Sequence, residues 1–212
     1  MAQRSDEQAL YFYGVTRSRG WRAGKNGEQE FVRVSFRDLD AVAVPIEFEL
    51  PQLTAEKVAQ HHGVVEQIMQ RTTLVPAPFG VVFRSKRALI KFMQDEYLVL
   101  DEALAFVDDH CELRMVVTAR TPAETRRDLD ELAAHVYSEL RRSARAAVPF
   151  PREQDKLMSA AFLVERNAAV EFAERARDLA GKDLTVEVSA PFAPYDFVRF
   201  AEKTESTDEK AE

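Results

Sequence analysis

The 212-residue sequence predicts an α+β protein of two domains, an N-terminal mixed α/β domain over residues 1–109 and a C-terminal ferredoxin-like α/β sandwich over residues 110–200. Strand-like segments crowd the first 46 residues, and two helical patterns follow them. From Cys111 the patterns run strand, helix, strand, helix, strand. The change between the two regimes falls at Asp108 to Cys111, where no Gly/Ser-rich linker intervenes.

Leu10 to Val15 (LYFYGV) is the first strand, because aromatic and β-branched residues suit a pleated surface packed on at least one face. Thr16 to Gln29 has the turn chemistry of a surface loop, with Gly20, Gly24, Asn26 and Gly27. Phe31 to Phe36 and Asp40 to Ile46 read as two more strands joined at Arg37-Asp38-Leu39, and Pro45 puts the latter at an edge or an end. Thr54 caps a helix whose apolar positions Val58, Val65, Ile68 and Met69 recur near a 3.6 period. Gly63 inside it costs about 1 kcal/mol relative to alanine, so the helix depends on tertiary packing or on a close neighbouring backbone. Pro76 and Pro78 force Leu74 to Gly80 out of the helix. Ser85 then caps a long helix over about 85–109, with Leu89, Met93, Tyr97, Leu100, Leu104 and Val107 on one stripe.

In the second half, Cys111, Leu113, Met115 and Val117 alternate with Glu112, Arg114 and Thr118, the period of a half-buried strand. Thr121-Pro122-Ala123-Glu124 is a capping box with proline at the first helical position, and it opens a helix carrying Leu129, Leu132, Val136 and Leu140. Pro149 and Pro151 end the connection. Ala160 to Val164 is a short apolar strand, and the helix after Asn167 carries Phe172, Ala176 and Leu179 until Gly181 stops it. Leu184, Val186 and Val188 form the last strand. The acidic tail, residues 201–212, has no large apolar residue to bury and is expected to be disordered.

Composition excludes several function classes. With 31% charged residues and no run of eighteen apolar ones, no segment reads as a membrane span. The start lacks the apolar region of a secretory signal, which gives a cytoplasmic expectation. A net charge of −7 repels phosphate backbones, and Arg126, Arg127, Arg141, Arg142 and Arg145 are interleaved with carboxylates rather than aromatic rings. No nucleic-acid partner is expected. Neither GxGxxG nor GxxxxGK[ST] occurs, so the phosphate cradles of dinucleotide and nucleotide enzymes are missing.

The search for chemistry gives no catalytic residue and no cofactor. His62 and Glu66, one helical turn apart beside His61, are the best metal pair and the basis of an alternative reading as a metal-dependent hydrolase; His110 and His135 belong to other elements. Cys111 and His110 are strand neighbours that point to opposite faces, which makes Cys111 a core residue beside Leu113. Ser143 and Ser159 lack a nucleophile elbow, and Asp108-Asp109 has no general-acid partner. A second alternative is a ligand-binding regulatory module of ferredoxin-like type, which would need convergent polar groups. What stands out is apolar: Pro76, Phe79 and Phe83 in one proline-rich segment, and Phe192, Tyr195 and Phe197 in another. Prolines fix the backbone, so these six are the candidate partner-binding residues.

Four segments in order, LYFYGV (10–15), HHGVVEQIMQRTTLVPAPFGVVF (61–83), AAFLVERNAAVEFAERARDL (160–179) and VEVSAPFAPYDFV (186–198), resemble the gas vesicle protein GvpF/GvpL family. The resemblance covers nearly the whole chain except the tail. It implies a two-domain α/β protein with a ferredoxin-like C-terminal domain that serves gas vesicle assembly as an accessory protein or minor structural component, not as an enzyme. It further implies contacts with the hydrophobic shell protein and other accessory proteins, and a location in the cytoplasm and the gas vesicle.

Overall fold

The computed structural model describes residues 8–18, 25–26, 29–49, 51–120, 126–153 and 155–198. Its first strand, β1 (Ala9–Arg17), pairs antiparallel with β5 (Leu39–Ile46) and slips by one residue between Phe12 and Gly14. That bulge decides which side chains face which helices. Leu10, Phe12 and Val15 join one core cluster, while Tyr11 and Tyr13 join another. Gly14 sits at φ +149, and a Cβ there would lie 2.4 Å from the Val75 carbonyl oxygen, so the bulge requires glycine.

Around β1 the sheet runs β4 (Val32–Phe36), β5, β1, β6 (Val75–Pro76), with β7 (Val82–Phe83) sharing the far edge of β1. The turn between β4 and β5 is Arg37-Asp38. β5 is an interior strand, but Pro45 lies beyond the Val32↔Ala43 pair that begins the β4 ladder, so no bond of that ladder is lost at the proline. Two short strands, β2 (Lys25–Asn26) and β3 (Gln29–Glu30), pair at the end of the segment expected as a loop, Glu30 lying just past it. Helix α1 (Ala55–Met69) contributes Val65, Ile68 and Met69 to the cluster of Tyr11 and Tyr13. The opposite face is covered by α2 (Lys86–Asp95) and α3 (Tyr97–Val107), through Leu89, Met93, Leu100, Leu104 and Val107.

The single long helix expected over 85–109 is therefore two, broken at Glu96 (φ −100, ψ 13). The apolar stripe continues across the break, with Tyr97 half-buried at its margin and its polar end turned outward. The Tyr97 hydroxyl donates to Asp38 at 2.7 Å, and the Arg37 guanidinium lies 4.6 Å above its ring. Helix start signals hold where they are described: Thr54 and Ser85 accept the Lys57 and Ala88 N–H groups.

The second sheet runs β11 (Leu184–Val188), β8 (His110–Ala119), β10 (Met158–Glu165), β9 (Ala146–Pro149), with every neighbouring pair antiparallel. With α4 (Arg126–Ser143) and α5 (Ala169–Ala180), the order is β8-α4-β9-β10-α5-β11. β9 was not expected: four residues ending at Pro149 read as part of a connection. Both helices bury their apolar stripes against Cys111, Leu113, Met115 and Val117. Gly181, at φ +60, ends α5. The other face of this sheet is covered too, because Leu163 and Val198 are buried in the same cluster as α2 and α3. The capping box 121–124 and the tail 201–212 lie outside the described residues.

Candidate functional site

Helix α1 brings two of the sequence-selected aromatic residues, Phe79 and Tyr195, into one cluster. His61 is buried on it, with its Nε2 2.9 Å from the Ala77 carbonyl oxygen and its Nδ1 2.8 Å from the Tyr11 hydroxyl. A carbonyl only accepts, so Nε2 carries the proton and the Tyr11 hydroxyl donates to Nδ1. The Gly80 N–H in turn donates to the Tyr11 oxygen at 3.3 Å. This chain of bonds fixes the 77–80 segment to α1 and β1. Burial drives the His61 pKa down to about 4, against the Ala77 bond, and drives Tyr11 up to about 12. The imidazole stacks on Tyr13 with 5.2 Å between centroids, and Phe79 meets it edge-on at 5.9 Å.

Beside this cluster a cleft of about 690 Å³ opens between α1 and the first sheet. Val44, Ile46, Tyr11, Tyr13 and Phe79 supply apolar surface, with Val64 from the helix and Lys57, Gln60 and Gln67 supplying polar groups. No carboxylate is found among the described lining residues, in a chain of net charge −7. Gly63 also lines it, and a Cβ at Gly63 would meet nothing within 4 Å. Of the two supports expected for α1, a close neighbouring backbone at that glycine is not found among the described residues, and tertiary packing, joined by the His61 bonds, holds the helix.

On the other side of α1, a cavity of about 360 Å³ is lined by His62, Glu66, Arg114, Ser189, Phe192 and Tyr195, among others. The rings of His62 and Tyr195 lie 5.2 Å apart. Charge dominates here. Glu112 is fully buried; its Oε1 accepts from Arg114 Nε at 3.0 Å and its Oε2 from the Asp196 N–H at 2.9 Å. Arg114 also pairs with Asp196 at 2.9 Å and lies 5.0 Å above the Phe192 ring. Burial, reinforced by the hydrogen bond to the Asp196 carboxylate, pushes the Glu112 carboxyl up to about 8. With the Glu112–Phe192 bridge, these bonds clamp the segment 189–198 onto β8.

The six candidate residues divide. Phe79 and Tyr195 both pack on the cluster buried by α1, and Phe192 lies in the charged cavity. Pro76 is buried and pairs with Gly14, while Phe83 and Phe197 pack on the α2/α3 core. Sequence reasoning missed Tyr11, Tyr13, His61 and Gly63 as lining residues, and it missed Glu112 as a buried acid. Cys111 is a buried core thiol beside Leu113, with its pKa raised by burial. His62 and Glu66 gain no third ligand: no group of three or more His, Cys, Asp or Glu arranged to hold a metal occurs among the described residues. Among them, too, no helix is long and apolar enough to cross a membrane.

The fold and these clefts define a mixed α/β protein whose antiparallel sheets frame an aromatic-lined cleft. The sequence model of the family described as gas vesicle synthesis protein GvpL/GvpF matches residues 9–131 and 118–199, and the chain belongs to this family. Gas vesicle protein F1 of Halobacterium salinarum is 25% identical over 203 residues, covering 89% of this chain and 92% of that one. Gas vesicle protein F of Haloferax mediterranei is 27% identical over 199 residues, with the same coverage of 89% and 92%. The crystal structure of gas vesicle protein GvpF from Anabaena sp. PCC7120 superposes with a TM-score of 0.78 at 15% identity, covering 92% of this chain and 99% of that one. That of GvpF from Microcystis aeruginosa gives 0.73 at 15%, covering 91% and 99%. These relatives are named as gas vesicle proteins and none as an enzyme.

Proposed function

We propose that this chain serves gas vesicle formation by binding, without catalysis, the hydrophobic shell protein and other accessory proteins in the cytoplasm and at the growing vesicle. A subunit with a large apolar face aggregates unless the face is covered before it reaches the wall. The observation that carries the reading is the apolar cleft beside α1, with no carboxylate among its described lining residues, in a chain of a gas vesicle synthesis family. Phe79 is its sequence-selected contact, with Phe192 and Tyr195 forming a second contact surface across the helix. Pro76, Phe83 and Phe197, the other candidate contacts, also anchor the proline-rich segments to the fold.

The same proposal divides the chain into an N-terminal domain over 1–109 and a ferredoxin-like domain over 110–200. The order of β8-α4-β9-β10-α5-β11, with β8 and β10 central, supports the latter. The shared burial of Leu163 and Val198 with α3 makes the two domains one packed unit.

Capture of the shell protein by the intact chain is expected, with at least tenfold weaker capture by a Phe79→Asp variant that keeps its circular dichroism and melting profile. Undiminished capture by that variant removes the cleft from the interface.

A further inference from the structure

The fold gives no reason for Gly63. It lies inside α1, its backbone is outside the positive-φ region, and an added Cβ would touch nothing. Alanine would fit there and favour the helix. The residue instead lines the large cleft, among Gln60, Val64 and Gln67. A helix surface without a Cβ lets a second backbone approach more closely than any other residue permits.

We infer that the cleft seats an amphipathic helix of the hydrophobic shell protein, its backbone crossing α1 at Gly63, its apolar stripe on Val44, Ile46 and Phe79, and an acidic residue facing Lys57. Three observations select this occupant. A strand would need a free edge, and where β5 runs past the end of β4 the edge carries Pro45, which has no N–H to offer. A helix satisfies its own backbone groups and needs only apolar surface. A small polar ligand would need convergent hydrogen-bonding groups, but both His61 nitrogens and the Tyr11 hydroxyl are already engaged within the protein. The charge of the described lining residues, one lysine and no carboxylate, complements an acidic flank on the incoming helix.

This inference rests on the cleft being the contact surface proposed above, and the test separates the two. Full-length Gly63→Ala, Gly63→Leu, Lys57→Glu and Phe79→Asp variants are melted and titrated against immobilised full-length shell protein. Gly63→Ala is expected to raise Tm by about 2–4 °C while weakening binding several-fold, because the fold tolerates the methyl group and the crossing helix does not. Gly63→Leu, still folded, is expected to weaken binding by about a hundredfold, and Lys57→Glu by about tenfold at low salt, with the difference shrinking at high salt. If Gly63→Leu binds within twofold of the unaltered chain while Phe79→Asp does not, the cleft stands and the helix crossing is overturned. If both bind fully, the contact surface itself is overturned.

Discussion

On the sheet side of α1, His61 is buried among Tyr11, Tyr13 and Phe79, and each of its nitrogens meets a neutral partner. On the side of the C-terminal segment, Glu112 is equally buried, but its partners are the Arg114 guanidinium, the Asp196 backbone and the Asp196 carboxylate. One helix is thus flanked by a neutral aromatic seam and by an ionic one. The difference teaches where each seam fails. Burial favours the neutral form in both, so acid opposes His61 and alkali opposes Glu112. Only the ionic seam contains groups whose pairing salt can screen, and there the screening acts on the exposed side of Arg114.

The seams break most severely at the bulge that builds the neutral one. Gly14→Ala puts a Cβ 2.4 Å from a backbone oxygen at a φ of +149, so neither rotamer change nor side-chain relaxation relieves it. We expect a loss of about 3–4 kcal/mol in denaturant unfolding, with Tyr11 and Tyr13 displaced from the cleft floor. Retention of wild-type stability would show that β1 carries its tyrosines without the bulge. The acid limb comes next. His61 has an ordinary pKa of 6.5 and a folded value near 4, so its neutral burial contributes stability above pH 6.5 that is lost as pH falls toward 4. That loss is expected to be ~3 kcal/mol, and a folded His61→Phe variant, which cannot titrate, should flatten this limb. Equal acid slopes in the two proteins would assign the limb to other groups.

Much of this seam was written in the sequence, but not its roles. LYFYGV does not alternate in polarity because the first sheet is covered on both faces, and every residue of β1 up to Thr16 is buried. A sequence pattern of that kind signals a strand without saying that a bulge separates the faces. Thr54, Ser85 and Gly181 announced helix ends because capping is local chemistry. The break at Glu96 was hidden because the apolar stripe runs through it, Tyr97 included, and the bond from the Tyr97 hydroxyl goes to Asp38, far away in sequence. Glu112 was misread as solvent-facing for a similar reason. Alternation in β8 distinguishes two faces, but the cover on the second face comes from the segment 189–198. His61 was visible only as a neighbour of His62 in a metal pair, since its true partners, Tyr11 and Ala77, lie in other elements.

The ionic seam gives the smaller effect and the sharper test. Glu112 has an ordinary value of 4.5 and a folded one near 8, so the stability it contributes is whole below pH 4.5 and is lost as pH rises through 8. Ionised Glu112 keeps Arg114 and the Asp196 N–H as partners, and the segment 189–198 can open without unfolding the sheets. The loss is therefore expected to be only about 2 kcal/mol, and local. Hydrogen exchange at the Asp196 amide, which donates to Glu112, should accelerate beyond its intrinsic base catalysis between pH 5 and 8 while amides in β10 do not. Glu112→Gln offers both a donor and an acceptor but no titrating proton, so it should cost under about 1 kcal/mol at pH 5 and abolish the excess acceleration. Measurements stop below pH 8.5, before the Cys111 thiol, itself pushed up by burial, begins to contribute. An Asp196 amide that accelerates equally in both proteins would mean that the clamp is held by Arg114 and the Phe192 bridge, with the Glu112 proton playing no part.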